Sequence, residues 1–176
     1  MGYWNTRGLR GSALEDLINF TNECYRQKGL ALFQKIPTPI TPVKVDNQNR
    51  SITLAYFEQQ STVDYMGVVQ GIPVCFDAKE TSLKSLPIQN IHPHQIQFMK
   101  DFQKQKGIAF LLVHFSAINQ FYFLPFETLY EYWTESQKGG RKSIPFDAFE
   151  QQYCIAQKNS ILQYLEAINT YLVNQE

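Results

Sequence analysis

The chain has 176 residues, of which 44% are hydrophobic and 14% aromatic, and its 16 Lys and Arg residues balance its 16 Asp and Glu residues. A chain of this length and composition should bury roughly two-thirds of its unfolded surface in one globular domain, which excludes intrinsic disorder for most of it. The zero formal charge argues against a protein that coats nucleic acid non-specifically, because such proteins carry excess basic charge.

The sequence carries no sign of membrane insertion or disulfide bonding. No stretch approaches ~18 uninterrupted apolar residues, and residues 1–7 have neither an apolar core nor a small-residue cleavage site. Cys24, Cys75 and Cys154 are odd in number and widely spaced, which fits neither a disulfide framework nor a C-x-x-C zinc site. We therefore expect a soluble, cytoplasmic protein whose cysteines are reduced and packed.

The first elements along the chain are a helix and a projecting hairpin. Apolar residues at helical spacing predict an amphipathic helix from about Ser12 to Gln27, which Gly29 ends. After three prolines, two short segments in which apolar and polar residues alternate lie on either side of a polar turn at Asp46–Asn49. These segments hold few apolar residues that could form a core. This pattern predicts a hairpin arm or stalk inserted at about residues 38–60.

A second hairpin follows, with strands predicted over 61–69 and 72–79. If Gln70-Gly71 are the two loop residues of a tight turn, the strands pair symmetrically about them. Asp64 then lies opposite Asp77. The same register places Thr62 opposite Lys79, and Lys79 shares the face of Asp77 because side chains two apart on a strand point the same way.

The rest of the chain predicts three helices around a buried strand. The predicted elements are a helix over 94–106, a strand over 108–115 with a hairpin partner over 120–124, a helix over 126–135 and a last helix over 161–172. The strand over 108–115 is almost entirely apolar, which is typical of a strand buried on both faces. This order of elements implies an α/β fold, a mixed β-sheet flanked by helices.

The carboxylate pair of the second hairpin predicts a metal site. Two carboxylates with Cβ atoms about 5 Å apart repel each other unless a cation lies between them. Mg²⁺ combines one or two carboxylates with water and phosphate oxygens, and Lys79 would stabilise charge on a phosphate or position the attacking water. The hairpin alone therefore suggests a phosphodiesterase site. A D-x-K pattern is common, so an ordinary solvated hairpin face is the alternative.

The segments around this hairpin resemble one nuclease family. Asp64, twelve intervening residues and Asp77-Ala78-Lys79 resemble the PD-(D/E)XK nuclease motif. Further matching segments are Arg10-Gly11, Leu14–Asp16, Pro37–Pro39, Val43–Asp46, Arg50-Ser51, Ala55–Phe57, Ser61-Thr62, Asp64-Tyr65, Gly67, Phe76, Ala78–Thr81, Pro87, Gln89-Asn90, His92, His94–Ile96 and Gly140–Ile144. Together they resemble RecU, the Holliday junction resolvase family of Gram-positive bacteria.

This resemblance implies a restriction-endonuclease-like fold in a single nuclease domain over residues 1–176, with the stalk at about 38–60. It implies a homodimeric, Mg²⁺-dependent endodeoxyribonuclease that resolves Holliday junctions by symmetric paired nicking in homologous recombination and DNA repair. Mn²⁺ is an alternative metal, and a RecA-type recombinase is a further partner that the resemblance suggests.

The resemblance also implies roles for individual residues. Asp64 and Asp77 would bind the metal, Lys79 would be the catalytic lysine, Thr62 would support the metal and the site, and Glu15 matches the acidic residue of the family's first helix. The residues expected to contact DNA are Arg10, Lys44, Arg50, Gln95, Arg141 and Lys142. The chain departs from the family in carrying Asp77 where Glu is usual, and in a shorter stalk.

Two other functions stay open at this point. A restriction-type nuclease of the same fold would cut linear duplex DNA. A noncatalytic recombination factor would bind branched DNA and remain inert with any metal.

Individual residues also have alternative interpretations. His92 and His94, on either side of a helix-starting proline, suit metal binding or helix capping and polar packing. Cys75 lies on the polar face of the predicted hairpin, where a Cys/His hydrolase would need an orienting acid. The basic loop at residues 138–142 suits phosphate contacts or simple solvation. The aromatic residues of 121–133 suit the core better than base stacking.

Overall fold

A computed structural model of the chain describes residues 7–57 and 62–175. Its helices are α1 (Arg7–Gln27), α2 (Pro93–Lys104), α3 (Phe126–Gln137) and α4 (Tyr164–Val173). Its strands are β1 (Leu32–Lys35), β2 (Ile40–Asp46), β3 (Ser51–Phe57), β4 (Tyr65–Val69), β5 (Ile72–Thr81), β6 (Ser85–Pro87), β7 (Ile108–Phe115), β8 (Gln120–Pro125), β9 (Ser143–Pro145), β10 (Cys154–Ile155), β11 (Gln157–Lys158) and β12 (Ile161–Leu162). No helix within the described ranges is long and apolar enough to cross a membrane.

The centre of the structure is a six-stranded sheet with the strand order β1-β4-β5-β7-β8-β10. Strands β5 and β7 run parallel, and the other neighbouring strands run antiparallel. Parallel neighbours require a crossover connection, and α2 lies in the segment that joins β5 to β7. The predicted mixed sheet flanked by helices is confirmed.

The sheet separates two hydrophobic cores. Phe76 and Phe110 point toward the helices α1 and α4, and their rings stack at 4.9 Å. Cys75 and Leu111, next to them on the same strands, point toward α2 and α3. Strand β7 is buried on both faces along almost its whole length, as its apolar sequence predicts.

The hairpin of β4 and β5 has the predicted register. Tyr65 pairs with Phe76, and the loop residues Gln70 and Gly71 both have positive φ angles of 48° and 89°, which the tight hairpin turn requires. Strand β4 begins at Tyr65, and residues 62–64 are not in a strand, so the prediction of a strand from residue 61 was too long at its start. The predicted first residue of this strand and the predicted end of the stalk lie outside the described residues.

Strands β2 and β3 form a hairpin with a two-stranded sheet of its own. At its turn, Asp46 Oδ1 accepts hydrogen bonds from the backbone N–H groups of Gln48 (2.9 Å) and Asn49 (3.2 Å). Arg50 follows with a φ of 49°. Most of the described side chains of this hairpin are exposed, in keeping with a projecting element.

Two helix boundaries differ from the predictions by three residues or more. Helix α1 begins at Arg7 rather than Ser12, and the last helix begins at Tyr164 rather than Ile161. The second prediction was wrong because side chains of α1 bond the backbone of β12. Thr21 Oγ1 accepts a hydrogen bond from Leu162 N–H (3.1 Å), which holds this segment extended against α1.

Candidate active site

Asp64 and Asp77 lie against each other where β4 meets β5. The backbone N–H of Asp64 donates to Asp77 Oδ1 (3.2 Å), and the backbone N–H of Ala78 donates to Asp64 Oδ2 (2.9 Å). Each carboxylate is thus held through one oxygen by the backbone beside the other carboxylate. Asp64 precedes β4, so the two residues lie just beyond the last ladder pair, Tyr65 and Phe76, and they face each other as the hairpin register predicts.

Lys79 contacts the same carboxylate cluster. Its Nζ forms an ion pair with Asp77 Oδ2; the Asp77 side chain is fully buried, and that of Lys79 is 15% exposed. The Lys79 ammonium is therefore the group that balances the charge on this oxygen. This pair follows from the two-residue spacing on β5, which puts both side chains on one face.

The protonation of Asp77 is strongly perturbed. Burial raises the pKa of Asp77 to about 7, the Lys79 ammonium opposes this rise, and the Asp64 carboxylate adds to it. A carboxylate that is costly to ionise becomes easier to ionise when a cation lies beside it. The site is therefore suited to binding a cation.

The residues present fit a divalent cation. Asp77 Oδ2 is a buried oxygen whose partner among the described residues is the Lys79 ammonium, and the Asp64 carboxylate lies close enough to the Asp77 carboxylate to disfavour its ionisation. Among the described residues no group of three or more His, Cys, Asp or Glu side chains is placed to hold a metal. Mg²⁺ is typically bound by one or two carboxylates, and water and substrate oxygens supply its other ligands.

Gln95 reaches the site from α2. Its side chain is 7% exposed, and its Nε2 donates to Asp77 Oδ1 (2.8 Å). A residue that contacts DNA must reach the surface, whereas Gln95 is buried beneath the carboxylates. This placement does not support the sequence-based prediction that Gln95 contacts DNA.

Glu15, on α1, borders the site. It lines a groove of about 460 Å³ together with Asp64, Lys35 and residues 36–38. Glu15 Oε2 forms an ion pair with Lys35 Nζ (2.5 Å), and Ile36 N–H donates to Asp64 O (2.8 Å). Sequence reasoning missed Lys35, although its position two residues before the matching segment Pro37–Pro39 was an available signal.

The remaining predicted residues lie elsewhere. Thr62 is half-buried and precedes β4, so the predicted strand pairing of Thr62 with Lys79 is absent from the described ladder. Lys44 and Arg50 are exposed on the β2–β3 hairpin. The other predicted DNA contacts are Arg141 and Lys142, exposed in the loop after α3, and Arg10, whose side chain lies outside the described residues.

Burial decides the alternative interpretations of Cys75 and of the buried aromatic residues. Cys75 is fully buried, and burial raises the pKa of its thiol far above the usual range, so the Cys/His hydrolase interpretation is wrong. His92 is the residue before α2, and its ring stacks on that of His94 at 5.3 Å. Aromatic residues 121–123 and Phe126 are buried, which confirms their prediction as core.

Comparisons with known proteins agree with one another on the family. The family model described as "Recombination protein U" (RecU) matches residues 9–170. The chain is 43% identical to the Holliday junction resolvase RecU of Pediococcus pentosaceus over 173 residues, which cover 95% of this chain and 86% of that protein. It is 46% identical to the Holliday junction resolvase RecU of Lactococcus lactis subsp. lactis over 168 residues, which cover 92% and 78%.

A solved structure also aligns with the chain. It is that of Archaeoglobus fulgidus Hjc, a Holliday junction resolvase from an archaeal hyperthermophile, with a TM-score of 0.44 and 7% sequence identity. The alignment covers 75% of this chain and 90% of that one.

Proposed function

We propose, because the chain belongs to the Recombination protein U family, that it is a structure-selective endodeoxyribonuclease that resolves Holliday junctions by paired, symmetric nicks. The observation that carries the proposal is the cluster at the start of β4 and on β5. It combines two opposed carboxylates, one of them fully buried, and an ammonium group in contact with the buried one. This combination suits hydrolysis of a phosphodiester.

Each residue of the cluster has a chemical task in this proposal. Asp64 and Asp77 would hold Mg²⁺, or Mn²⁺ in its place, and the ion would polarise the phosphate and lower the pKa of an attacking water. Lys79 is anchored by Asp77 and would stabilise the negative charge that develops on the phosphate. Glu15, across the groove from Asp64, would complete the acidic side of the site, and Thr62 would support it.

The proposed assembly follows from the substrate. A four-way junction has two-fold symmetry, and a homodimer presents two copies of one active site with the same symmetry. Each protomer would then nick one of two opposing strands. We also propose a RecA-type recombinase as a partner in recombination and repair, and the cytoplasm, where bacterial DNA lies, as the location.

The proposed function is tested with a labelled four-way junction and a linear duplex of matched sequence. We expect paired, symmetric nicks on the junction with Mg²⁺, no nicks in EDTA, and little cutting of the duplex. Equal cutting of the linear duplex would instead indicate a restriction-type nuclease. Binding of the junction without nicks, in Mg²⁺ and in Mn²⁺, would leave a noncatalytic junction-binding factor.

The β2–β3 hairpin is proposed as the stalk that enters the junction, with Lys44 and Arg50 contacting phosphates. Because the chain has no net charge, we expect weak binding to linear duplex. We also expect binding to depend steeply on salt, because phosphate contacts release counterions. The double variant Lys44→Gln/Arg50→Gln should reduce the salt slope of junction binding by about two per protomer. The measurement is a salt titration of junction affinity in EDTA.

A matched control for this prediction is Lys104→Gln/Lys158→Gln, since both lysines are exposed and belong neither to the hairpin nor to the basic loop. This control should keep the wild-type slope. Equal slopes for the two double variants, or equal competition by linear duplex at physiological salt, would contradict the proposed role of the hairpin.

A further inference from the structure

Two histidine rings lie beside the candidate site, at the start of α2. His92 is exposed and His94 is half-buried, and their rings stack at 5.3 Å with an angle of 9° between their planes. The next residue, Gln95, donates to Asp77 Oδ1 (2.8 Å). The turn of α2 that carries the two rings therefore rests on the carboxylate cluster, and the rings can be reached from solvent.

The surroundings of the rings are positively charged. Burial, the His92 ring and the Lys79 ammonium lower the pKa of His94, so Lys79 lies within electrostatic reach of this ring. Lys79 itself already pairs with Asp77. In residues 7–57 and 62–175, neither His92 nor His94 forms an ion pair with an acidic side chain.

This arrangement suits an anion. A protonated imidazole can donate from both ring nitrogens, and its hydrogen bonds to a phosphate are stronger than bonds between neutral groups. The charges of His92 and Lys79 oppose protonation of His94, and a phosphate beside the rings would offset both. For a nuclease, the anion at hand is the DNA backbone.

We infer that His92 and His94 bind a backbone phosphate of the DNA, next to the phosphate that Lys79 faces. The inference rests on the proposed function and adds a substrate contact to the same site. Phosphate contacts fix the register and orientation of a protein on DNA. A contact beside the cleaved phosphate would thus help to place the scissile bond over Asp64 and Asp77.

Other titratable groups on α2 and on the elements packed against it have partners of their own or are buried. These groups are Asp101 with Lys104 on α2 (2.7 Å), Lys100 on α2 with Tyr130 on α3 (2.9 Å), Glu127 on α3 with Gln103 on α2 (2.6 Å), His114 on β7 with Glu80 on β5 (2.9 Å), Lys79 with Asp77 on β5, and the buried thiol of Cys75 on β5. We therefore expect the bound phosphate to act on the protonation of the two stacked rings.

The test is the affinity of the full-length protein for a labelled four-way junction in EDTA, which prevents cleavage. The double variant His92→Gln/His94→Gln removes both rings and keeps the backbone N–H of residue 92 to which Gln95 bonds. Binding of a phosphate takes up a proton, so wild-type affinity should fall about tenfold between pH ~6 and pH ~8. The double variant should lose most of this dependence.

A second readout separates a phosphate contact from a structural role. At pH ~6 the salt slope of junction binding should be smaller in the double variant by about one per protomer, and at pH ~8 the two slopes should agree. His114→Gln is the matched control, because His114 is the third histidine of the chain and pairs with Glu80 on β5. It should keep the wild-type pH dependence.

His94→Lys supplies a positive charge at both pH values, so it should bind the junction at pH ~8 at least as tightly as the wild type. Wild-type pH dependence and salt slope in the double variant, or an equal loss in His114→Gln, would overturn the inference, while wild-type nicking would leave the proposed function intact. A wild-type protein that binds with this pH dependence but nicks in neither Mg²⁺ nor Mn²⁺ would support the phosphate contact and remove the proposed function.

Discussion

Replacing Asp77 by Asn is expected to reduce junction cleavage by about 10³-fold or more, because the variant loses a metal ligand and the partner of Lys79. Asn keeps the size of the side chain and an Oδ1 that accepts from Gln95 and from Asp64 N–H. The fold and the binding of junctions should therefore persist. Single-turnover cleavage and junction affinity in EDTA measure the two effects separately.

The same variant is expected to be more stable than the wild type at neutral pH without metal. The pKa of Asp77 is about 7 in the folded protein against a usual value near 4 in an unfolded chain. Between these values the folded state holds a proton that the unfolded state has released, so the Asp77 contribution to stability falls as pH rises. It is fully unfavourable above pH ~7 and absent below pH ~4.

Urea unfolding in EDTA at several pH values checks this sign. We expect the stability of Asp77→Asn to exceed that of the wild type by about 1–3 kcal/mol at pH 8, with the difference shrinking toward pH 4. Added Mg²⁺ should stabilise the wild type and leave the variant unchanged. If the variant is less stable than the wild type at pH 8, burial of the Asp77 charge is not the main effect of this residue on the free energy of unfolding.

Replacing Lys79 by Met is expected to reduce cleavage by about 10²-fold or more and, unlike the previous change, to destabilise the protein. Removing Lys79 leaves the fully buried Asp77 carboxylate uncompensated, which costs about 3–5 kcal/mol, whereas the Lys79 ammonium, whose side chain is 15% exposed, can still reach water in Asp77→Asn. Because protonation of Asp77 relieves this cost, the destabilisation should be largest above pH ~7 and smaller near pH 5. Cleavage assays and urea unfolding at both pH values make the comparison.

The control for this prediction is Lys104→Met. Lys104 forms an exposed ion pair with Asp101 (2.7 Å), and exposed pairs contribute about 0–1 kcal/mol. In the Asp77→Asn background, Lys79→Met should cost far less than in the wild type, since no buried charge is left unpaired. Equal costs of Lys79→Met in both backgrounds would show that the two side chains do not stabilise each other.

The sequence predicts the part of the site that depends on local geometry. A two-residue loop at Gln70-Gly71 sets the register of its own hairpin, so the opposition of Asp64 and Asp77 could be deduced without the rest of the fold. The burial of β7 on both faces could also be predicted locally, because the strand's own residues are almost all apolar. These predictions depend on neighbours in the chain.

The contact of Gln95 with Asp77 could not be deduced in this way. It depends on the crossover that packs α2 against β5, a non-local arrangement that periodicity leaves open. The start of α4 was mispredicted because Leu162 is held by Thr21, 141 residues earlier in the chain. Glu15 was found by resemblance alone, since nothing in the helical pattern of α1 relates it to Asp64.

The bond between Gln95 and Asp77 also links the start of α2 to the carboxylate cluster of the hairpin. Asp77 is fully buried, and Gln95 covers it from the side of α2. When the first turn of α2 lifts away, water reaches Asp77, and the gain in hydration offsets part of the packing that is lost. Amide hydrogens at the start of α2 should therefore exchange through local opening, well before those of β7 exchange through global unfolding.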